Sequence, residues 1–571
     1  MSEQRWLDLG PLTDFPEGRP VLRKVDGQRF ACVRAAGGVH AIDDRCPHQG
    51  YPLSQGTCAD GVLTCEWHNW KFDLSSGANL FGGEAVRHYP TRVEGGRVHL
   101  NPAIDTEAEA RRLRAGVSEA LTRDEMGRAL RESLRLGQMA PHARSAELGP
   151  LAEAFELVTR HGAQRAEYGF DHGLAVLADL LSWAERGWVG KEEAFVAGAH
   201  AVAEACLRLG PRAVVGAERA PDDAMDPART CDALVAERRD EAEARVRAIA
   251  RASGAETAHA LTPFLARHLL DYGHAAIFTA KAAELAVRFP GSAEDVFGSL
   301  AVTLSWATAE TVLPPFAATR AALDRLADVS LAEGEGRRLE RAERASFEAA
   351  VLSGEKAGAG AAVDLLAGGV EPADVILASA HAAAERLLRF DAAWEERVDA
   401  EVGVLDVTHT VTFAESALWL AGRASRRDAA RLAVLAAAFV GKVRAGDRAD
   451  LADPAPRTNA PDLVSAARAR DAGRAVAIAR EMSAEQRRAA YAELAPFAAF
   501  DAATRPIFYA HTIKNAEALH RLEALDPFAD ATYLAALVSY VVPARREWRA
   551  RRLAHVATKF LADGRPPEGL Y

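Results

Sequence analysis

The chain is poor in cysteine, with six in 571 residues. Their spacing makes no disulfide framework, so packed cores rather than cross-links must stabilise it. Cys32, Cys58, Cys206 and Cys231 stand alone and read as small apolar residues, while Cys46 and Cys65 fall in a pattern with histidines. No run of about 18 uninterrupted apolar residues occurs, which argues against a membrane span. The opening MSEQRWLDLG has neither a basic nor an apolar region, so no signal peptide is expected and a reducing cytoplasm fits best. Basic residues do not dominate: 69 Lys and Arg face 80 Asp and Glu, a net charge of −11 that disfavours a nucleic-acid partner. The one glycine-rich stretch, KAGAGAAVDLLAG around Gly358 and Gly360, follows no strand and misses the dinucleotide fingerprint. No flavin or nicotinamide site is therefore expected.

What is present is ordinary globular composition, 49% apolar and 26% charged, over a length that calls for two or more domains. Up to residue 102 short β-rich runs (RPVLRKV, RFACVRAAGGVHAI, GVLTC, NWKFDL, GRVHL) alternate with turns such as Asp26-Gly27 and Asp60-Gly61. Beyond it apolar residues recur at helical spacing, as in LAVLADLLSWA and ARLAVLAAAFVGKVRA. The expected architecture is a small all-β domain over 1–102, a charged helical connector over 103–135, and a large all-α domain over 136–571.

Within the β domain, Cys46-Pro47-His48 is followed after sixteen residues by Cys65-Glu66-Trp67-His68. A Cys2His2 zinc site could nearly use that spacing. The flanks point elsewhere: Gly50 follows the first pair, Phe72-Asp73 the second, and Gly77 closes a turn. The stretch CPHQGYPLSQG…CEWHNWKFDLSSG resembles the Rieske ferredoxins and the Rieske domains of ring-hydroxylating oxygenases. In such a centre two thiolates hold one iron and two imidazoles the other. The resemblance implies a [2Fe-2S] cluster on Cys46, His48, Cys65 and His68. Glu66 replaces the usual proline, and neither loop carries the extra cysteine of the respiratory type. A Rieske cluster passes electrons and binds no substrate, so the activity must rest with the helical domain.

An ordinary ring-hydroxylating oxygenase would place a two-histidine, one-carboxylate triad in a mixed fold, with its histidines five residues apart. No such pair lies on a plausible helix here. Four other histidines stand in similar settings: Asp171-His172, Tyr272-Gly273-His274, Asp406-Val407-Thr408-His409 and Phe508-Tyr509-Ala510-His511. His172 shares a helical face with Val176 and Leu180, and His409 with Phe413. Asp171, Asp271 and Asp406 precede their histidines by one or three residues, where a carboxylate could fix an imidazole's tautomer. His172 to His274 and His409 to His511 are each 102 residues, which suggests a duplicated unit offset by 237; Pro290 and Pro527 each lie sixteen residues past the second histidine. Helical domains build metal sites by projecting ligands from several helices inward. His200, His259, His268, His381, His520 and His555 are read as ordinary surface or core residues, and Glu256-x-x-His259 lacks the second copy a di-iron site needs.

Over roughly residues 150–545 the chain also resembles the questin oxidase-like proteins, an all-α family of non-haem oxygenases acting on polyketide quinones. The likeness is carried by Asp171-His172, Tyr272-Gly273-His274, HTVTFAESAL from His409 and AHTIKNAEAL from His511. It implies a mononuclear Fe(2+) held by His172, His274, His409 and His511, with Lys514 carboxylated to a carbamate. Lys514 is one turn after His511 on the same face, and a buried lysine with a lowered pKa leaves a neutral amine able to capture carbon dioxide. The expected function is an O2-dependent monooxygenase or dioxygenase. It would insert oxygen into, or cleave, an aromatic or quinone-like ring, with electrons from a separate NAD(P)H-dependent reductase or ferredoxin. The competing expectation is a Rieske electron carrier whose helical domain only docks a redox partner.

Overall fold

The computed structural model describes residues 5–543 other than 82, 140–146, 207–211, 270, 307–315, 332–333, 398–402, 449–450 and 501–505, together with a few residues between 551 and 562. It divides into two compact units, Met1–Leu157 and Val158–Tyr571. The division falls after Leu157 rather than after residue 135, so the segment expected to be a connector belongs to the first unit.

That unit is built on ten short strands: β1 (Leu7–Pro11), β2 (Val21–Val25), β3 (Gln28–Ala35), β4 (Gly38–Asp43), β5 (Thr57–Ala59), β6 (Val62–Thr64), β7 (Lys71–Asp73), β8 (His88–Tyr89), β9 (Thr91–Glu94) and β10 (Arg97–Leu100). They form three antiparallel sheets in the orders β1-β10-β9, β2-β3-β4-β8 and β5-β6-β7. The Asp26-Gly27 and Asp60-Gly61 turns both hold positive φ at each residue, the geometry of tight hairpins between twisted strands. One core gathers Phe15, Phe30, Cys32, Tyr89, Val98 and Leu100. A second places Cys46 and Cys65 among Val33, Ile42, Leu63, Phe72 and Leu74. Two of the lone cysteines thus need no chemistry: Cys32 and Cys206 are buried free thiols.

Two helices follow, α1 (Thr106–Thr122) and α2 (Met126–Met139). Asp105 caps α1 by accepting from Ala108 N at 2.9 Å. Gly116 lets the helices approach closely, because a Cβ there would lie 1.9 Å from Glu132 Oε2. Glu132 is buried between Arg112 and Arg128, and burial pushes its carboxyl up to about 7.

The second unit is helical: among its described residues strand pairing is limited to two isolated bridges, Arg337 with Val370 and Phe390 with Asp447. At its centre four helices, His172–Glu185, His274–Arg288, Val404–Ala421 and Pro506–Leu525, pack in a ring, each on the next and the last on the first. Around them Arg239–Ser253 packs on Ala293–Leu304 as Ala472–Glu481 packs on Thr532–Val541. The fold is a small β domain followed by a large all-α domain. Among the described residues no helix is long and apolar enough to cross a membrane.

Candidate functional site

In the first unit two loops are built to one plan. Cys46 N donates to Tyr51 O and Gly50 N to Cys46 O; correspondingly Cys65 N donates to Trp70 O and Asn69 N to Cys65 O, all at 2.8–2.9 Å. Gly50 and Asn69, the fifth residue of each loop, are left-handed. Both cysteines are buried, and burial raises the Cys46 thiol to about 11. The imidazoles meet at the loop tips with Nδ1 atoms 3.2 Å apart, His48 half-buried and His68 exposed. Trp70 stacks on His48 at 4.7 Å and Trp67 on His68 at 5.0 Å. Glu66 is exposed, and its loop keeps the same hydrogen-bond frame without proline. Two buried thiols beneath two convergent ring nitrogens are the donor set a [2Fe-2S] cluster of mixed ligation takes.

In the second unit the ring of helices brings His172, His274, His409 and His511 together. Nε2 of His274 is 2.8 Å from Nε2 of His409 and 3.2 Å from that of His172, which is 3.2 Å from Nε2 of His511. Ligand nitrogens of His172, His409 and His511 lie within 4.8 Å of one another.

The other ring nitrogens settle the tautomers. His409 Nδ1 is 2.6 Å from the carbonyl of Leu405, which can only accept. His274 Nδ1 is 3.0 Å from the Asp271 carboxylate. Thr408 gives its single hydroxyl proton to Leu405 O at 2.7 Å, so its oxygen accepts from His511 Nδ1 at 3.0 Å. In all three rings the proton sits on Nδ1, and the Nε2 lone pair points into the cluster. Burial holds all four imidazoles below the ordinary histidine range, so protons do not bridge them at neutral pH. Lone pairs at such distances repel unless a cation stands among them. The donor set suits a divalent transition metal.

Of the three aspartates expected to orient imidazoles, only Asp271 does so. Asp171 instead caps the His172 helix, accepting from Gly173 N at 2.9 Å and Leu174 N at 3.2 Å. Asp406 accepts from Gly403 N at 2.7 Å. Asp271, Tyr272 and Gly273 are consecutively left-handed, and this turn swings the Asp271 carboxylate back to His274. Tyr272 stacks on His409 at 5.2 Å while 44% exposed. Neither Tyr272 nor Thr408 was expected at the site; a stacked ring and a threonine hydroxyl carry no distinctive spacing.

Lys514 is buried on the His511 helix, and its Nζ has no hydrogen-bond partner among the described residues. The Phe278 ring, which stacks on His274, lies 5.9 Å from that nitrogen. Burial pushes the Lys514 ammonium down to about 7.

The same four helices carry charged groups farther along. Asp179 pairs with Lys281 at 2.7 Å and Lys281 with Glu284 at 3.1 Å. Arg521 joins Glu284, Glu415 and Glu517, and Glu517 also accepts from Trp183 Nε1 at 2.9 Å. Such pairs contribute little net stability but specify which faces may meet.

The first unit thus has the fold of an iron–sulfur domain, with loops that present two cysteines and two histidines. Residues 5–90 match the Rieske [2Fe-2S] domain. Over 99 residues the chain is 32% identical to the ferredoxin component of the naphthalene 1,2-dioxygenase/salicylate 5-hydroxylase systems of a Ralstonia species, covering 17% of this chain and 95% of that protein. Over 88 residues it is 40% identical to the 4beta-methylsterol monooxygenase of Methylococcus capsulatus, covering 13% of this chain and 24%, about a quarter, of that protein. The solved ferredoxin of carbazole 1,9a-dioxygenase from Nocardioides aromaticivorans is 28% identical over 17% of this chain and 98% of its own, with a TM-score of 0.17. Through its first domain the chain belongs to the Rieske [2Fe-2S] family.

Proposed function

We propose that the protein is a Rieske-linked non-haem iron oxygenase that inserts oxygen into, or cleaves, an aromatic or quinone-like ring. The observation that carries this reading is the convergence of four Nε2 atoms, three with their protons held on the far side of the ring. The Rieske relatives named above belong to dioxygenase and monooxygenase systems, and the chain's own likeness to the questin oxidase-like proteins supports the same chemistry.

In this reading His172, His274, His409, His511 and Lys514 hold one Fe(2+), while Cys46, His48, Cys65 and His68 hold the cluster. When bound, the cluster supplies electrons singly and the ferrous ion supplies activation of O2. Burial pushes the Lys514 ammonium down to about 7, so a large share is free amine near neutral pH. That amine would bond from Nζ to carbon dioxide and lose a proton, and the carbamate oxygen would supply the negative charge that four neutral imidazoles lack. Phe278 packs on His172 and His274 and walls the site from water. Electrons come from a separate NAD(P)H-dependent reductase or ferredoxin in the cytoplasm.

Iron content tests this directly. A two-iron cluster and one further ion give about three irons per chain, and O2 uptake should require an aromatic or quinone-like substrate, the reductase and NAD(P)H together. Two irons per chain and no uptake would leave an electron carrier instead.

A further inference from the structure

Helix α2 grips the first cluster loop. Glu84, fully buried, accepts from Arg131 Nη2 at 2.6 Å and Nε at 2.9 Å, and from Arg135 Nη1 at 2.9 Å. The second Arg135 nitrogen, Nη2, donates to Pro47 O at 3.2 Å. Pro47 stands between Cys46 and His48, so one guanidinium bridges a buried carboxylate and the backbone of the cluster loop. The naphthalene dioxygenase ferredoxin components align over 99–100 residues that cover 95–96% of their length. The α1–α2 hairpin at residues 106–139 is therefore an addition to that shared domain.

An added element that only closed the domain could do so with apolar contacts, and the hairpin has them in Leu113, Leu136 and Met139. Instead it sets two guanidiniums on one buried carboxylate beside the cluster loop, so the trio itself carries one positive charge, with Glu109, Glu132 and Asp43 also facing Arg135. With Glu84 fully buried and the two arginine side chains only 32% and 27% exposed, these charges are screened less than charges in open solvent and act on a nearby redox centre. Reduction adds one electron to the cluster and makes it one unit more negative, so a fixed positive charge favours the reduced form and a fixed negative charge opposes it. Net charge and hydrogen bonding near a cluster are among the levers that set its potential.

We propose that Arg131, Glu84 and Arg135 form a charge device that sets the reduction potential of the cluster. The two arginines raise it, Glu84 lowers it, and Arg135 also fixes the loop between Cys46 and His48. All three are positioning residues; none touches the reacting atoms.

The test is a redox titration of the full-length holoprotein with dithionite as reductant, followed by the EPR signal of the reduced cluster. Arg135→Gln and Arg131→Gln should lower the midpoint potential, and Glu84→Gln should raise it. Arg111→Gln, at an exposed position on α1 paired with Glu107, should leave it unchanged. Opposite signs are what distinguishes a charge effect from loosening, which would move the acidic and basic variants the same way. Should Glu84→Gln not fold, Arg131→Lys keeps the charge and must keep the potential that Arg131→Gln loses. Same-sign shifts, unchanged potentials in all three variants, or a Lys variant that behaves like the Gln variant would overturn the proposal.

Discussion

Glu284 and Arg521 stand 237 residues apart in the chain and meet side chain to side chain, with Nη1 2.5 Å and Nη2 3.1 Å from the two carboxylate oxygens. The same offset relates His172 to His409 and His274 to His511. In an arrangement with two-fold symmetry, only residues near the axis touch their own equivalents. The ion pair therefore lies where an axis through the ring of four helices would run, which supports the suggestion of two related halves. The equivalence breaks at the site itself, where Lys514 corresponds to Ile277.

Thr408 should matter through His511 alone. Thr408→Val keeps the shape of the side chain but removes the oxygen that accepts from Nδ1, freeing His511 to place its proton on Nε2. Loss of such an outer partner typically weakens metal binding by about 10- to 100-fold. Iron affinity measured by chelator competition should fall by that order in Thr408→Val and stay near wild type in Thr408→Ser. Equal affinities in all three proteins would show that the tautomer is set elsewhere.

Lys514→Met and Lys514→Ala should lose iron and turnover, and bicarbonate during purification should raise wild-type activity while leaving both variants unmoved. Lys514→Glu should recover part of the iron, since its carboxylate carries a similar charge on a shorter stem. A lysine outside the site predicts a nearly silent Met variant, with stability changed by only about half a kcal/mol. Full iron and turnover in Lys514→Met would exclude the carbamate.

His48→Ala and His68→Ala should each abolish the low-g EPR signal of the reduced protein while leaving the helical circular dichroism intact. The helices belong overwhelmingly to the other compact unit. A colourless wild-type protein with stoichiometric zinc would contradict the cluster assignment.

His381 sets a pH dependence remote from both centres. Burial opposes its protonation, but hydrogen bonds to Asp530 and Glu348 outweigh burial and raise it from 6.5 to about 9. The folded state holds this proton more tightly than the unfolded chain, so the stabilisation is complete below pH 6.5 and declines as pH rises towards 9. The melting temperature of His381→Gln should therefore change less between pH 6.5 and 9 than that of wild type. Parallel curves would assign the dependence to other groups.

Much of this was legible in the residues. Two Cys-His loops at fixed spacing need no tertiary information, and the four histidines on apolar helical faces could be singled out because burial of an imidazole demands a reason. Their outer partners were not legible. Asp171 and Asp406 were expected to serve imidazoles, but a carboxylate at a helix start finds unsatisfied N–H groups closer at hand. Asp271 escapes that competition only because three left-handed residues turn it back. Arg131 and Arg135 fall in the stretch expected only to be a charged helical connector, since composition reports that a helix is charged and not that a buried glutamate 47 and 51 residues earlier will meet it.

The span between His172 and His511, 339 residues, also bears on how the protein is made. Chain synthesis proceeds at about 5 to 20 residues per second, and domains fold as units once they emerge. The first unit ends at Leu157, so both cluster loops leave the ribosome tens of seconds before the last histidine of the second centre exists. Completion of the two sites is thereby ordered in time: both cluster loops are available on a nascent chain, whereas the four histidines cannot come together until His511 has been made.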